Sequence, residues 1–122
     1  MRKALVIEDN EDNMNLITFI LKKNGYRTVW AENGRRGVEL AVQEKPDFII
    51  LDIQLPDISG FEVLPLIRGE EGCSEMPIIA MTSYAMSGDR EKLINAGCTG
   101  YIEKPIDPET VMTEIGRIVG ER

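Results

Sequence analysis

A chain of 122 residues, 43% apolar and 29% charged, is long enough to bury one core and too short for two, with the composition of a folded protein. A formal charge of −7 and the absence of histidine argue against direct nucleic-acid binding, which runs on cations neutralising phosphates, and exclude histidine bases and histidine metal ligands. No apolar run approaches the roughly 18 residues of a membrane span, and MRKALVIED turns acidic before a signal-peptide core forms, so one cytoplasmic domain over residues 1–122, without membrane insertion, is expected.

The first apolar run, ALVI (4–7), reads straight into the acids and amides of EDNEDN (8–13). A helix follows over Glu11 to Asn24, with Asn10 as N-cap, Met14, Ile17 and Leu21 along one face, and Gly25 at the position after the helix that favours glycine. The run TVWA (28–31) is less apolar, which suits an edge strand. A second helix follows Asn33 and Gly34, with Val38, Ala41 and Val42 facing inward, and ends before Pro46 because a residue preceding proline disfavours helix.

FIIL (48–51) is apolar throughout, as a strand buried on both faces should be. A third helix, from Gly60 to Arg68, sets Phe61, Leu64 and Ile67 on one side, and Pro65 within it invites a kink. PIIAM (77–81) is the fourth run. The fourth helix is expected from Met86 to Asn95 and closes at Gly97. After GYI (100–102) comes a fifth helix, with Asp107 as N-cap, Pro108 at its first position, and Val111, Ile115, Ile118 and Val119 at helical spacing. Cys73 and Cys98 lack metal or redox spacing and read as free thiols.

Strict β and α alternation implies a parallel sheet covered by helices on both faces, since right-handed crossovers place helices there. In such sheets ligands bind beyond the carboxyl ends of the strands, where the winding reverses. Those ends carry Glu8 and Asp9, then Asp52, Thr82 and Lys104, while the second strand exits at Glu32 and Asn33 with nothing to pair with them. That asymmetry fits a strand order of 2-1-3-4-5, which sets Glu8, Asp9 and Asp52 in one crevice.

Three carboxylates so placed repel one another unless a cation relieves them, and few protein oxygens with room for water suit Mg2+. An EF-hand fails on the same stretch: counting from Asp9, Met14 and Ile20 stand where the loop needs glycine and glutamate. Helix-dipole decoration accounts for Glu11 and Asp12 but less well for Asp9. A carboxylate beside a divalent metal and a lysine is equipped to attack a phosphoryl group, the work being mostly positioning and charge neutralisation. The hydroxyl of Thr82 is suited to a phosphoryl oxygen.

With Glu8-Asp9, LDIQLPDISG (Asp52, Gly60), MTSYA (Thr82) and YIEKP (Tyr101, Lys104, Pro105) in this order, the chain resembles the receiver domain of two-component response regulators, the CheY-like family, over essentially its whole length. IEDNEDN, SGDREK and AGCTGYIEKPID look like stand-alone receivers of the DivK type and those of hybrid histidine kinases. The resemblance implies a flavodoxin-like (βα)5 three-layer sandwich with a five-stranded parallel sheet. It implies Asp52 as phosphoacceptor, and Mg2+ held by Asp9, Asp52 and the backbone carbonyl of Gln54, with Glu8 acting largely through water. Lys104 is implied to pair with Asp52 or its phosphoryl group, with the Lys104–Pro105 bond cis, and Thr82 and Tyr101 to form a switch pair. Ser83 and Tyr84 flank the site in positions that tune hydrolysis.

The implied donor is a phosphohistidine on a histidine kinase or histidine phosphotransfer protein, docking along the first helix and the loop after the fifth strand. A downstream protein target, not identified by the sequence, is implied as well. The rival is a haloacid dehalogenase-like phosphatase, which places a second aspartate two residues after its nucleophile as acid and base. Gln54 stands there, so an aspartyl phosphate is expected to persist, as signalling requires.

Overall fold

A computed structural model describes residues 2–83 and 87–120. Strands and helices alternate as β1 (Arg2–Ile7), α1 (Glu11–Lys23), β2 (Tyr26–Ala31), α2 (Gly34–Glu44), β3 (Phe48–Asp52), α3 (Gly60–Arg68), β4 (Ile78–Thr82), α4 (Ser87–Ala96), β5 (Gly100–Glu103) and α5 (Val111–Val119). The strands form one parallel sheet in the order β2-β1-β3-β4-β5. Among the described residues no helix is long and apolar enough to cross a membrane.

The pleat divides the core. Leu5, Ile7, Ile49, Leu51, Ile78 and Ala80 point to the layer of α2, α3 and α4, while Ala4, Val6, Phe48, Ile50, Ile79 and Met81 point to that of α1 and α5. Successive side chains of a strand face opposite sides, so continuous apolar runs are what a sheet covered twice demands.

Cap chemistry sets most helix ends. The Asn10 side chain accepts from the Asn13 N–H (2.9 Å), and Gly25 follows α1 at φ 89°. Gly97 follows α4 at φ 120°. The α4 start expected at Met86 lies outside the described residues. Regular helix in α5 begins one turn later than Asp107 and Pro108 suggest, with Thr110 at the N-cap position. Asp107 caps the turn before it instead: its side chain accepts from Glu109 N–H (2.9 Å), and its carbonyl takes the N–H of both Thr110 and Val111. Such shared bonds tighten a helix entrance into a turn.

One expectation about a helix face changes. Val42, expected inward, is 37% exposed; the buried line of α2 is Gly34, Gly37, Leu40 and Ala41, with Val38 partly buried beside it. The cause is close approach, since a Cβ on Gly37 would stand 2.5 Å from Ile7 Cδ1. The glycine lets the helix lie flush on β1 and turns Val42 outward. In α3 the helix runs on through Pro65, which is exposed; the ring removes one mid-helix N–H, yet Val63, Leu64 and Ile67 still reach the core. Cys73 and Cys98 are free and buried, and burial pushes the Cys98 thiol up to about 11.

Candidate functional site

Four strands of the sheet deliver the site at one rim. The ladder between β1 and β2 ends with Ile7 opposite Ala31, and Glu8 continues it by donating its N–H to the Ala31 carbonyl (3.0 Å). Its side chain turns inward and is fully buried. Oε2 accepts from the Asn10 N–H (3.3 Å), whereas Oε1 has no hydrogen-bond partner. Asp9 is exposed.

β3 ends on Asp52, 3% exposed. Its Oδ1 accepts from the Gln54 N–H (3.0 Å) and lies 3.0 Å from Lys104 Nζ. The same ammonium stands 3.8 Å from Glu8 Oε1. Lys104 follows β5, its N–H donates to the Thr82 carbonyl (2.8 Å), and its bond to Pro105 is cis. Thr82, 5% exposed, closes β4. Tyr101 sits on β5 opposite Ala80, half-buried, with the Arg90 guanidinium 5.3 Å from its ring centre.

Carboxylate oxygens of Glu8, Asp9 and Asp52 all lie within 4.8 Å of one another. Burial, and the close approach and charge of the Asp52 carboxyl, push Glu8 up to about 8, against the pull of Lys104. One lysine therefore does not neutralise this crevice. A hard dication fits it on two observations: the donors are all oxygen, and Glu8 Oε1 is a buried acceptor lacking a donor. Ser83 is exposed beside the site, and Tyr84 lies outside the described residues.

The sequence reading missed two residues. Asp57, in the loop after β3, accepts from the Gly34 N–H (2.8 Å) and Arg35 N–H (2.9 Å) at the start of α2. The Asn33 side chain takes the Arg36 N–H and its carbonyl the Gly37 N–H, so all four N–H groups of that first turn are satisfied. With no acid in the first turn of α2, the charge that suits the dipole comes from 23 residues away. Asp57→Ala should destabilise the protein by about 0.5–1 kcal/mol in urea unfolding at neutral pH, a modest figure because the group is exposed. Desolvation, the largest single influence, works the other way, but the N–H groups of Arg35, Gly34, Ile58 and Asp57 together outweigh it and hold this carboxyl below its ordinary 3.8. Its contribution is thus complete above that value and fades as pH falls through the lower folded-state one, so wild-type and variant stabilities should converge in acid. A constant gap down to pH 2 would refute the capping role.

Trp30 is the second. It is 42% exposed, and its indole Nε1–H donates to the Glu8 carbonyl (2.7 Å). The link is tertiary, between residues 22 apart, and no periodicity announces it.

The model of the response regulator receiver domain matches residues 4–116. The polar-differentiation response regulator DivK of Brucella anthropi is 37% identical over 120 residues, covering 98% of each chain. Among solved structures, chemotaxis protein CheY4 of Vibrio cholerae superposes with a TM-score of 0.92 at 27% identity, over 97% of this chain and 98% of that one. The receiver domain of a sensor histidine kinase from Pseudomonas aeruginosa gives 0.89 at 32% identity over 98% of both, and that crystal holds a magnesium ion coordinated in its active-site cleft.

Proposed function

This chain belongs to the response regulator receiver domain family, a family of signalling domains and not of classical enzymes, and on that footing we propose that Asp52 is its phosphoacceptor. The observation that carries the reading is the setting of Asp52: nearly buried at the end of a central strand, 3.0 Å from an ammonium, with two further carboxylates alongside.

Asp9, Asp52 and the Gln54 carbonyl would hold Mg2+, with Glu8 acting largely through water. When bound, the cation supplies positive charge against phosphoryl and carboxylate oxygens. The rest falls to the chain. A carboxylate oxygen of Asp52 forms the bond to phosphorus as the N–P bond of a donor phosphohistidine breaks, and the electron pair leaves on the imidazole nitrogen. Through Oδ1 the Gln54 N–H and Lys104 hold the nucleophile in place. Lys104 meets charge on the transferred group, and the Thr82 hydroxyl donates to one of its oxygens.

The acyl phosphate then persists, because the Gln54 amide is neither acid nor base. Its slow loss is the domain's own hydrolysis, which Ser83 and Tyr84 tune. Signalling follows from the Thr82 hydroxyl moving to the phosphoryl group with Tyr101 swinging inward, a coupling of typically about 1–3 kcal/mol that shifts populations of the α4, β5 and α5 surface.

The receiver unit spans residues 1–122. The donor, a histidine kinase or histidine phosphotransfer protein, docks along α1 and the loop after β5; a groove there is lined by Asn13, Leu16, Ser83, Lys104, Pro105 and Ile106. The changed surface engages a protein target.

Incubation with radiolabelled acetyl phosphate or a phosphohistidine donor tests the chemistry. With Mg2+ the protein should acquire label that hydroxylamine releases, as it does an acyl phosphate, and EDTA should slow labelling by about 100-fold or more, on the scale of losing one preorganised charge stabiliser. Label that survives hydroxylamine, or that forms equally well in EDTA, would defeat the proposal.

A further inference from the structure

The main chain of Glu8 is held on both polar groups by β2. Its N–H donates to the Ala31 carbonyl at 3.0 Å. Beyond that point the parallel ladder ends, because β2 closes at Ala31 and α2 begins at Gly34. The Glu8 carbonyl instead accepts the Trp30 indole N–H at 2.7 Å. A side chain thus supplies the donor that the departing strand does not.

That carbonyl belongs to the peptide joining Glu8 to Asp9, and these residues carry two of the three clustered carboxylates. Rotation of the peptide would move both acids at once. Gathering three carboxylates without a cation costs electrostatic energy, and an unanchored peptide would relax by letting them part. The indole can serve as the anchor because Trp30 stands on β2, the edge strand of the sheet, and its N–H is a directional donor aimed at that carbonyl.

We propose that Trp30 is a positioning residue for the cation site, acting through the Glu8 carbonyl, and that its indole N–H senses entry of the cation. The inference rests on the reading above, that Glu8, Asp9 and Asp52 face Mg2+. Trp30 is the chain's single tryptophan, so its fluorescence and its indole 15N–1H resonance are unambiguous reporters.

The decisive experiment titrates Mg2+ into the full chain by calorimetry and by indole 15N–1H spectra. It compares the wild type, Trp30→Phe, and a protein with β-(3-benzothienyl)alanine at position 30, where sulfur replaces the N–H and the shape is kept. The wild-type indole resonance should shift as Mg2+ binds, with the same midpoint as the heat. Both replacements should weaken Mg2+ about 3- to 10-fold, the worth of one hydrogen bond expressed in binding. Equal Mg2+ affinity in all three proteins, with only the metal-free unfolding midpoint lowered, would reduce Trp30 to a stability role and overturn the inference while leaving the cation site standing. A wild type that binds no Mg2+ would overturn both.

Discussion

Asp52→Asn should abolish labelling from acetyl phosphate or a phosphohistidine donor while leaving the protein folded. An amide nitrogen or amide oxygen is no substitute for the carboxylate nucleophile, and neither Glu8 nor Asp9 replaces it: Glu8 is buried beneath Lys104 and Asp9 is exposed at the rim. The variant gives up the 3.0 Å pair with Lys104, but it also removes the charge that opposes ionisation of the buried Glu8, so the two changes act in opposite directions on stability. Labelling below detection, beside an unchanged circular dichroism spectrum and a cooperative unfolding transition, is the expected result. Wild-type labelling in this variant would remove Asp52 from the chemistry altogether.

Gly60→Ala should cost about 1–3 kcal/mol of stability, the usual range for forcing a methyl group into a filled space. A Cβ at Gly60 would lie 2.7 Å from the Cα of Ile53 and 3.1 Å from the Asp52 carbonyl oxygen. The first neighbour is backbone, so no side-chain rotation relieves the clash. The Gly60 N–H also donates to the Ile53 carbonyl (2.8 Å), which closes the loop from β3 into α3 on itself. Parting these segments displaces the main chain next to the nucleophile. Urea unfolding should show the loss, and labelling should slow as the Asp52–Lys104 geometry slackens. Wild-type stability would mean that the loop opens at no cost and that glycine there is incidental.

These two residues differ in how far they could be read from the chain alone. Asp52 stands out because an apolar run meets an acid where parallel sheets keep their ligands, and Gly60 entered only as the start of a helix and as part of the receiver-like stretch LDIQLPDISG. Its reason, an approach of 2.7 Å to backbone seven residues earlier, is a fact of the folded loop. Val42 shows the same limit from the other side. Periodicity identified a helix, but the phase of its buried face was set by Gly37 lying against Ile7.

What the amino-acid order determined by itself was governed by local chemistry: five short apolar runs, the Asn10 cap, the glycines closing α1 and α4, and the succession of acid pair, acid, hydroxyl and amine at the strand ends. Dihedral preferences and side-chain alternation act over a few residues, so they are written into the string. Only the tertiary structure decided that Lys104 reaches both Asp52 and Glu8, that Glu8 is wholly buried with one oxygen lacking a hydrogen-bond donor, that Asp57 caps a helix 23 residues distant, and that the Trp30 indole holds the Glu8 carbonyl. Those are distances between segments, set by how closely sheet and helices pack, and a linear pattern carries no measure of them.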